Sequence, residues 1–389
     1  MLNDNLKLTD KKVLHYARQG LKAHLPLHAE GYKVTTDDLL NVLLGVAVSQ
    51  GTLEAVCQDL QGIAKPETVR TYLNKQLRVA DLPQLEQGLN AALAEQAPTR
   101  VFQKPQEVAI DFHDRPYYGK TPQPEGLWVH GQLRDGTHCF YRVATAYVIR
   151  NGLRVTLSIR FVLPGDDTLH VLKDLIAGLQ ARQLKIACLF LDKAFAGIDQ
   201  LRYLSSLGLP AIIACSIRGK QAGTRALCQG NKSYLPTYTF RNTRGRKSFT
   251  ANLAVCRVFT TAKRTGRKKR QARWLIFILI NLTCSPQQAK RLYRRRFGIE
   301  TSYRCTAQVL GWTTSPNPAY RFVLLALSFF LLNVWVHLCW LFTQQARRGG
   351  RFLDTKRFQL SRLAKFLIRS LERYYGCIHE ITALAAPLL

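Results

Sequence analysis

The spacing of apolar residues changes near residue 100, and this change divides the chain into two kinds of structure. Before it, apolar side chains recur at helical intervals, as in residues 39–46, and we expect Thr36 or Asp37 to cap that helix. Residues 98–105 begin and end with Pro and are predicted to be a linker. After the linker, short apolar runs rich in Val, Ile, Phe and Tyr predict strands.

Two helices in the first region have the spacing of a helix-turn-helix. Residues 53–60 are followed by Gly62, and a second helix is predicted with Pro66 in its first turn. The pattern fits a DNA-reading unit or a plain helical bundle equally well. In the first case the second helix would present polar side chains to DNA, namely Lys65, Thr68, Arg70, Thr71 and Lys75.

The strands after residue 105 alternate with helices in a way that is typical of a mixed α/β sheet. Strands are predicted at residues 107–111, 138–149, 153–163, 185–192 and 211–215, with helices at 169–179 and 199–207. Asp166 and Asp167 form a turn and a helix cap. The first and fourth strands, placed side by side, bring Asp111 and Asp192 to neighbouring strand ends, which is a ribonuclease H-like arrangement.

Residues 216–282 interrupt this pattern and predict a β-rich, basic insertion. Runs at 249–259 and 274–282 resemble strands, and basic loops occupy 241–247 and 263–273, the second as an exposed hairpin tip. We expect the cations of these loops to contact nucleic acid rather than only solvent. The residues predicted for this role are Arg244, Arg246, Lys247, Arg267, Lys268, Lys269 and Arg270.

Charge narrows the choice of partner. The chain has 56 Lys and Arg against 25 Asp and Glu, a net charge of +31, which favours either nucleic acid or an acidic membrane surface. An apolar content of 47% excludes a disordered basic tail. The ten Cys form no CxxC pair, which argues against zinc. With no secretory signal in the sequence, we expect reduced thiols and a cytoplasmic, nucleoid-associated protein.

Glu300 is isolated in a basic region. It is the only carboxylate between Gln200 and Leu353, and residues 200–299 carry 22 Lys and Arg without an acid. One interpretation is a structural ion pair with a neighbouring Arg. The other is that Glu300 binds a divalent cation while the Arg side chains bind phosphates.

Three acids therefore form the candidate site, namely Asp111, Asp192 and Glu300, and together they could hold two Mg²⁺ ions. Asp114 is the rival of Asp111, and we prefer Asp111 because it directly ends the predicted strand. Tyr293 and Arg296 share a helical face with Glu300 by their spacing, so that Arg296 could clamp a phosphate. Tyr293, Arg296 and Arg304 are predicted to contact DNA.

Residues 322–342 are almost wholly apolar and are long enough to cross a bilayer. Asn333 and His337 lie on one helical face, which favours a core helix, although a membrane-attached basic protein stays open as an alternative. Residues 353–374 predict a final basic helix. The predicted domains are residues 1–100 (helical), 105–215 with 283–345 (catalytic), 216–282 (insertion) and 346–389 (basic and helical).

Three segments of the chain, residues 109–119, 190–195 and 293–304, resemble DDE-type insertion-sequence transposases that carry a Tyr-x2-Arg-x3-Glu-x6-Lys signature. The resemblance implies a ribonuclease H-like catalytic domain, Mg²⁺ or Mn²⁺, and cutting and joining of DNA at terminal inverted repeats. It also implies a homodimer that pairs two DNA ends, no membrane, and an apolar helix in the catalytic core.

The signature departs from the family at one position. The family's Lys falls on Ala307, and Arg304 is the nearest cation on that helix. This departure motivates an alternative, a decayed or repurposed transposase that binds DNA without cutting it.

Overall fold

A computed structural model describes residues 7–119, 127–150, 154–242, 245–264, 267–348 and 350–380. The helices in these residues are α1 (Asp10–Lys22), α2 (Thr36–Ser49), α3 (Leu53–Asp59), α4 (Pro66–Gln76), α5 (Leu82–Glu95), α6 (Arg100–Gln103), α7 (Thr168–Ala181), α8 (Ile198–Ser206), α9 (Pro286–Tyr293), α10 (Phe297–Thr306), α11 (Pro318–Phe342) and α12 (Leu360–Tyr375). The strands are β1 (Gln106–Pro116), β2 (Val129–Arg134), β3 (Thr137–Val148), β4 (Val155–Val162), β5 (Ile186–Leu191), β6 (Ala211–Cys215), β7 (Thr237–Arg241), β8 (Ser248–Arg264), β9 (Arg267–Ile280), β10 (Gln344–Arg347) and β11 (Gly350–Leu353).

The chain forms two compact units. The helical unit comprises Met1–Pro98, Pro116–Tyr141 and Tyr303–Leu389, and the sheet unit comprises Thr99–Arg115 and Arg142–Ser302. The four-part domain scheme stays a prediction.

The helical unit begins as its sequence predicts, with one change of cap. The side chain of Thr35 accepts from the backbone of Asp38, whose own side chain accepts from the backbone of Thr35. This capping box satisfies two helix-end donors at once, so the predicted caps, Thr36 and Asp37, are wrong by one or two residues. Helix α4 begins at Pro66, as expected for a residue that needs no backbone donor there.

Helix α11 is the apolar centre of the helical unit. It is the one described helix that is long and apolar enough by itself to cross a membrane, and α2 with α3, bent by 106°, would be a second if they were one span. However, 89% of its most apolar window is buried, at a mean hydropathy of 2.2. The buried side chain of Asn333 donates to the backbone oxygen of Leu93 at 2.9 Å. Burial and this hydrogen bond support the core-helix interpretation.

The hairpin β10–β11 follows α11 and was not predicted. Residues 350–353 pair with residues 344–347, so the final helix begins at Leu360 and the predicted start at residue 353 is wrong. Residues 350–353 cannot start the helix because their backbone groups form the hydrogen bonds of the hairpin.

The sheet unit confirms the predicted mixed α/β sheet of ribonuclease H-like order. Strand β3 begins in the helical unit, where β2 pairs with it, and continues in the sheet unit. There the order is β3-β1-β5-β6-β9-β8-β7, with β4 beside β3. Strands β1, β5 and β6 are parallel, and β3–β4, β6–β9, β9–β8 and β8–β7 are antiparallel.

The basic insertion extends this sheet. Strand β9 pairs with β6 from Ala211 to Cys215, because the apolar run Ile276–Ile280 is buried on both faces and needs neighbours on each side. The region predicted as an exposed hairpin tip, residues 263–273, is mostly strand among the described residues. Lys263 pairs with Lys268 and Arg264 pairs with Arg267.

Candidate functional site

Asp111 and Asp192 are brought together by strand register. Strands β1 and β5 pair in parallel up to Ile110, whose partner is Leu191. Each Asp is the residue after that last pair. The prediction that Asp111 ends its strand is wrong, since β1 runs on to Pro116, but the parallel pairing does end there.

An aromatic stack holds the two acid-bearing segments in place. Phe112 follows Asp111, and Phe195 lies in the 3₁₀ turn Lys193–Phe195 that follows Asp192. Their rings stack with centroids 4.8 Å apart and an interplanar angle of 11°. Phe195 is fully buried, so this contact fixes the loop after β5 against β1.

Glu300 and Arg296 reach the site from the helices after β9. Ser285 and Gln288 form a capping box that starts α9, and the 3₁₀ turn Arg294–Arg296 joins α9 to α10. In α10, Glu300 lies four residues after Arg296. The Arg296 Nη1 atom is 3.5 Å from Glu300 Oε1.

Arg296 also contacts the two strand acids. Its Nη2 atom donates to Asp111 Oδ2 at 2.7 Å and lies 4.0 Å from Asp192 Oδ1. The three predicted carboxylates therefore surround one guanidinium group. The sequence grouped these acids only by their positions and by the family resemblance. That Arg296 is their common partner is visible only in the tertiary structure.

The side chains of this cluster become more exposed from Arg296 to Glu300. The exposed fraction of the side chain is 7% for Arg296, 14% for Asp111, 33% for Asp192 and 49% for Glu300. Burial raises the pKa of Asp111 to about 6; Arg296 opposes the shift and Asp192 adds to it. The Nε atom of Arg296 is buried and has no hydrogen-bond partner among the described residues. The cluster is thus dry at Asp111 and open to solvent at Glu300.

The donor set suits a hard divalent cation, because three carboxylates already surround one positive group. As the side chains stand, no three His, Cys, Asp or Glu of the described residues lie close enough together to hold a metal ion. The guanidinium of Arg296 lies among the acids instead. A metal ion would therefore need these carboxylates to turn from Arg296 toward it.

Tyr293 lies beneath the site. Its hydroxyl group donates to the backbone oxygen of Leu191 at 3.1 Å, directly before Asp192, and its ring packs on Phe277 with centroids 4.8 Å apart. Burial raises the pKa of Tyr293. A buried ring of this kind positions α9 against β5. The DNA contact predicted for Tyr293 would need its hydroxyl group to be released.

The other predicted DNA-binding residues lie away from this cluster or outside the described residues. Arg246 and Lys247 are exposed after β7, and Lys247 Nζ is 2.8 Å from Asp199. Arg304 is exposed on the last turn of α10, which belongs to the helical unit. Arg267, Lys268, Lys269 and Arg270 lie in β9, but their side chains and the whole of Arg244 are outside the described residues.

Asp114, the rival of Asp111, has a partner of its own. Both its oxygens accept from Arg142, at 2.6 and 3.0 Å. The guanidinium of Arg142 also lies over the ring of Phe112, 5.3 Å from its centroid. Sequence reasoning missed Arg142 and the ion pair between Arg295 and Glu107. No sequence signal points to either pair, since the partners are far apart along the chain.

Comparison with known proteins settles the family. The model of the family described as the transposase DDE domain matches residues 103–331 of the 389. The chain belongs to this transposase family. The matched range contains all three acids and Arg296. No curated protein matches the chain.

A solved structure is similar to this DDE-family chain in fold. It is titled as the cryo-EM structure of the piggyBac transposase synaptic complex with hairpin DNA, and its TM-score is 0.53 at 9% sequence identity. The match covers 96% of this chain and 78% of that one. At such low identity the likeness establishes the fold alone.

Proposed function

We propose that this protein is a metal-dependent DNA transposase that cuts and joins DNA at the terminal inverted repeats of a mobile element. The observation that carries the proposal is the convergence of Asp111, Asp192 and Glu300 on one guanidinium group. Three acids gathered around one cation by a parallel strand pair and a helix are costly to bury unless the cluster has a use. Membership of the transposase family supports such a use, because the matched range contains all three acids.

The residues fit divalent metal, with Mg²⁺ or Mn²⁺ as the expected ion and two ions as the expected number. Asp111, Asp192 and Glu300 would hold it. When bound, the ions would activate the attacking oxygen and stabilise the leaving oxygen of a phosphodiester. The half-exposed side of the cluster, at Glu300, is where a phosphate can approach from solvent.

Arg296 has the role of a counter-ion in this proposal. Without it, the buried carboxylate of Asp111 would lose its cation, and breaking a buried ion pair costs roughly 3–5 kcal/mol. Once the acids have turned to a metal ion, the guanidinium is free to bind a phosphate oxygen in two places. This combines the predicted phosphate clamp with the observed ion pairs.

DNA is the proposed partner, and a homodimer that pairs two element ends in the cytoplasm, on the nucleoid, is the proposed assembly. The exposed cations after β7, Arg246 and Lys247, extend the positive surface of the sheet unit. Cations of this kind neutralise phosphates and release counterions. We therefore expect affinity for DNA to fall steeply with salt, and a flat salt response would contradict the role given to the basic insertion.

The decisive experiment is cleavage of a donor plasmid that carries the element's own ends, in the presence of Mg²⁺. Asp192→Asn is expected to abolish cleavage while leaving gel-shift binding to the same ends intact. Asp199→Asn is the matched control, because that half-exposed Asp lies in the same unit and pairs only with Lys247 among the described contacts. Cleavage by Asp192→Asn at the wild-type rate would refute the proposal.

One observation favours a second candidate, a non-enzymatic DNA-binding protein. Ala307 stands where the family signature has Lys, and it is exposed in the 3₁₀ turn Ala307–Val309. In that case the wild-type protein would shift element ends in a gel but release no cut product with Mg²⁺ or Mn²⁺. Restoration of cleavage by Ala307→Lys would identify a weakened enzyme rather than a repurposed one.

A further inference from the structure

Helices α1 and α12 pack against each other in the helical unit, and a basic groove lies along them. The groove has a volume of about 520 Å³. Its polar lining consists of four cations, a His, a Ser and an exposed Tyr: Lys11, Lys12, Arg18, Arg373, His15, Ser370 and Tyr374. We use the name α1–α12 groove for this groove together with the exposed cations of α12, Arg362, Lys365 and Arg369. The acid cluster of the sheet unit contributes nothing to it.

The charge of these two helices is strongly one-sided. Helix α1 carries four Lys and Arg and one acid, Asp10, and α12 also carries four and one, Glu372. Asp10 is already paired with Arg373, and Asp37 with Arg18 and Lys22. These two acids therefore neutralise part of the charge of Arg18, Lys22 and Arg373. Lys11, Arg362, Lys365 and Arg369 have no acidic partner among the described ion pairs and are left for an external anion.

The way α12 packs decides between two kinds of anionic partner. Leu363, Leu367 and Leu371 are buried, Phe366 and Ile368 are half-buried, and the helix packs on α1 and α2. An amphipathic helix binds a membrane by inserting its apolar face among the lipids. Here that face is already covered by protein, so only the cationic face is available.

That cationic face suits a regular row of phosphates. Arg362, Lys365 and Arg369 are exposed on α12, at helical spacings of three and four residues. A helix of 16 residues is about 24 Å long. Duplex DNA presents one phosphate per about 3.4 Å of axis on each strand, so roughly seven phosphates of one strand pass along such a helix.

We propose that the α1–α12 groove binds the backbone of duplex DNA without regard to sequence, as a contact separate from the acid cluster. The groove offers ammonium and guanidinium groups, which recognise phosphate and carry no base readout by themselves. The proposal concerns binding alone and holds whether or not the acid cluster performs metal-dependent cleavage.

The test measures affinity of the full chain for a duplex of arbitrary sequence, by fluorescence anisotropy in EDTA over a range of salt concentrations. Two double variants remove cations: Lys365→Gln with Arg369→Gln, both exposed, and Lys11→Gln with Lys12→Gln, of which Lys11 is exposed and Lys12 half-buried. Each phosphate contact contributes about 0.9 to the slope of log affinity against log salt. Each double variant is therefore expected to flatten the slope by about 1.8 if both its cations contact phosphates.

The matched control is Lys104→Gln with Lys185→Gln, which removes the same charge from exposed positions of the sheet unit. Its slope is expected to equal that of the wild type. Melting temperatures verify that each variant folds. Wild-type slopes in both groove variants would overturn the proposal.

The lipid alternative has its own arm in the same experiment. The same proteins are sedimented with vesicles of phosphatidylserine and phosphatidylcholine. If the groove variants lose vesicle binding while their DNA slopes stay at the wild-type value, the groove is a membrane surface and the proposal is wrong. Unchanged vesicle binding with flattened DNA slopes is the expected result.

Discussion

Strand β1 carries two aspartates three residues apart, and their surroundings differ. Asp114 is the one acid that pairs with Arg142 among the described ion pairs, through two hydrogen bonds of 2.6 and 3.0 Å. Asp111 shares Arg296 with Asp192 and Glu300. A one-to-one pair is close to neutral, whereas three acids around one guanidinium keep an excess of negative charge. The comparison teaches that the number of acids per cation, more than burial, separates a structural ion pair from a place that can accept a metal ion.

The largest expected difference between Asp111 and Asp114 is in the rate of DNA cleavage. Asp111→Asn removes a proposed metal ligand and should lower Mg²⁺-dependent cleavage by more than about 100-fold, since loss of an outer-shell partner alone typically costs 10–100-fold. Asp114→Asn removes half of a structural pair and should lower it by less than about tenfold. Gel-cleavage rates on a donor plasmid measure both. An equal loss of cleavage rate in the two variants would contradict the assignment of Asp114 to a structural ion pair and make it a candidate metal ligand again.

The next difference is in how Mg²⁺ affects stability. Arg296→Gln leaves three acids without their cation and should destabilise the metal-free protein by about 3 kcal/mol. Mg²⁺ should then stabilise this variant more than it stabilises the wild type, because no guanidinium competes for the carboxylates.

Arg142→Gln is the control for that measurement. It breaks a partly exposed pair, should cost about 1 kcal/mol, and should not change the response to Mg²⁺. Thermal melts in EDTA and in Mg²⁺ provide the comparison. An unchanged Mg²⁺ response in Arg296→Gln would show that Arg296 is not the counter-ion of the metal ligands.

A smaller effect is expected in the pH dependence of stability without metal. Asp111 has a pKa of about 6 in the folded protein against an ordinary value of 3.8. The folded state therefore binds this proton more tightly than the unfolded chain does. Its contribution to the free energy of unfolding is largest at low pH and falls as the pH rises from 3.8 to about 6.

Asp111→Asn should remove the decrease in the free energy of unfolding that Asp111 causes as the pH rises. Urea unfolding at several pH values in EDTA should show a wild-type free energy that declines relative to the variant across this window, by roughly 2 kcal/mol. Parallel curves for the two proteins would mean that Asp111 titrates alike in the folded and unfolded states.

The smallest effect is expected at the ring between the two aspartates. Phe112 stacks on Phe195, and the guanidinium of Arg142 lies over it. Phe112→Leu keeps most of the apolar volume but loses the aromatic contacts, and we expect a cost of about 1 kcal/mol. Cleavage should fall only a few-fold, through the loop that carries Asp192. Unaltered cleavage with a lower melting temperature would confine Phe112 to a structural role.

Much of the fold could be predicted from local pattern. The strand at residues 211–215 and the helix that starts at Pro66 have the predicted positions, because buried apolar runs and a Pro at the first helical turn are local signals. The preference for Asp111 rested on a strand end that does not exist. The position of Asp111 still predicted its closeness to Asp192, because the parallel pairing of β1 with β5 ends at Ile110 and Leu191, directly before the two acids.

The partners of the acids could not be predicted in the same way. Arg296 was expected to bind phosphate, and it lies instead within hydrogen-bonding or ion-pairing distance of all three acids. Asp111 and Arg296 are 185 residues apart. No spacing rule reaches across such a separation, because the contact depends on the order of strands in the sheet.

The sequence by itself determined the acid-bearing segments, the excess of positive charge and the resemblance to a transposase, since these are properties of residue type and local spacing. The tertiary structure alone decided which cation each acid faces, how dry Asp111 is, and that the apolar side of α12 is covered while its basic side is open. The physical reason is that ion pairing and desolvation depend on distances of a few ångströms between segments that only the packed fold brings together.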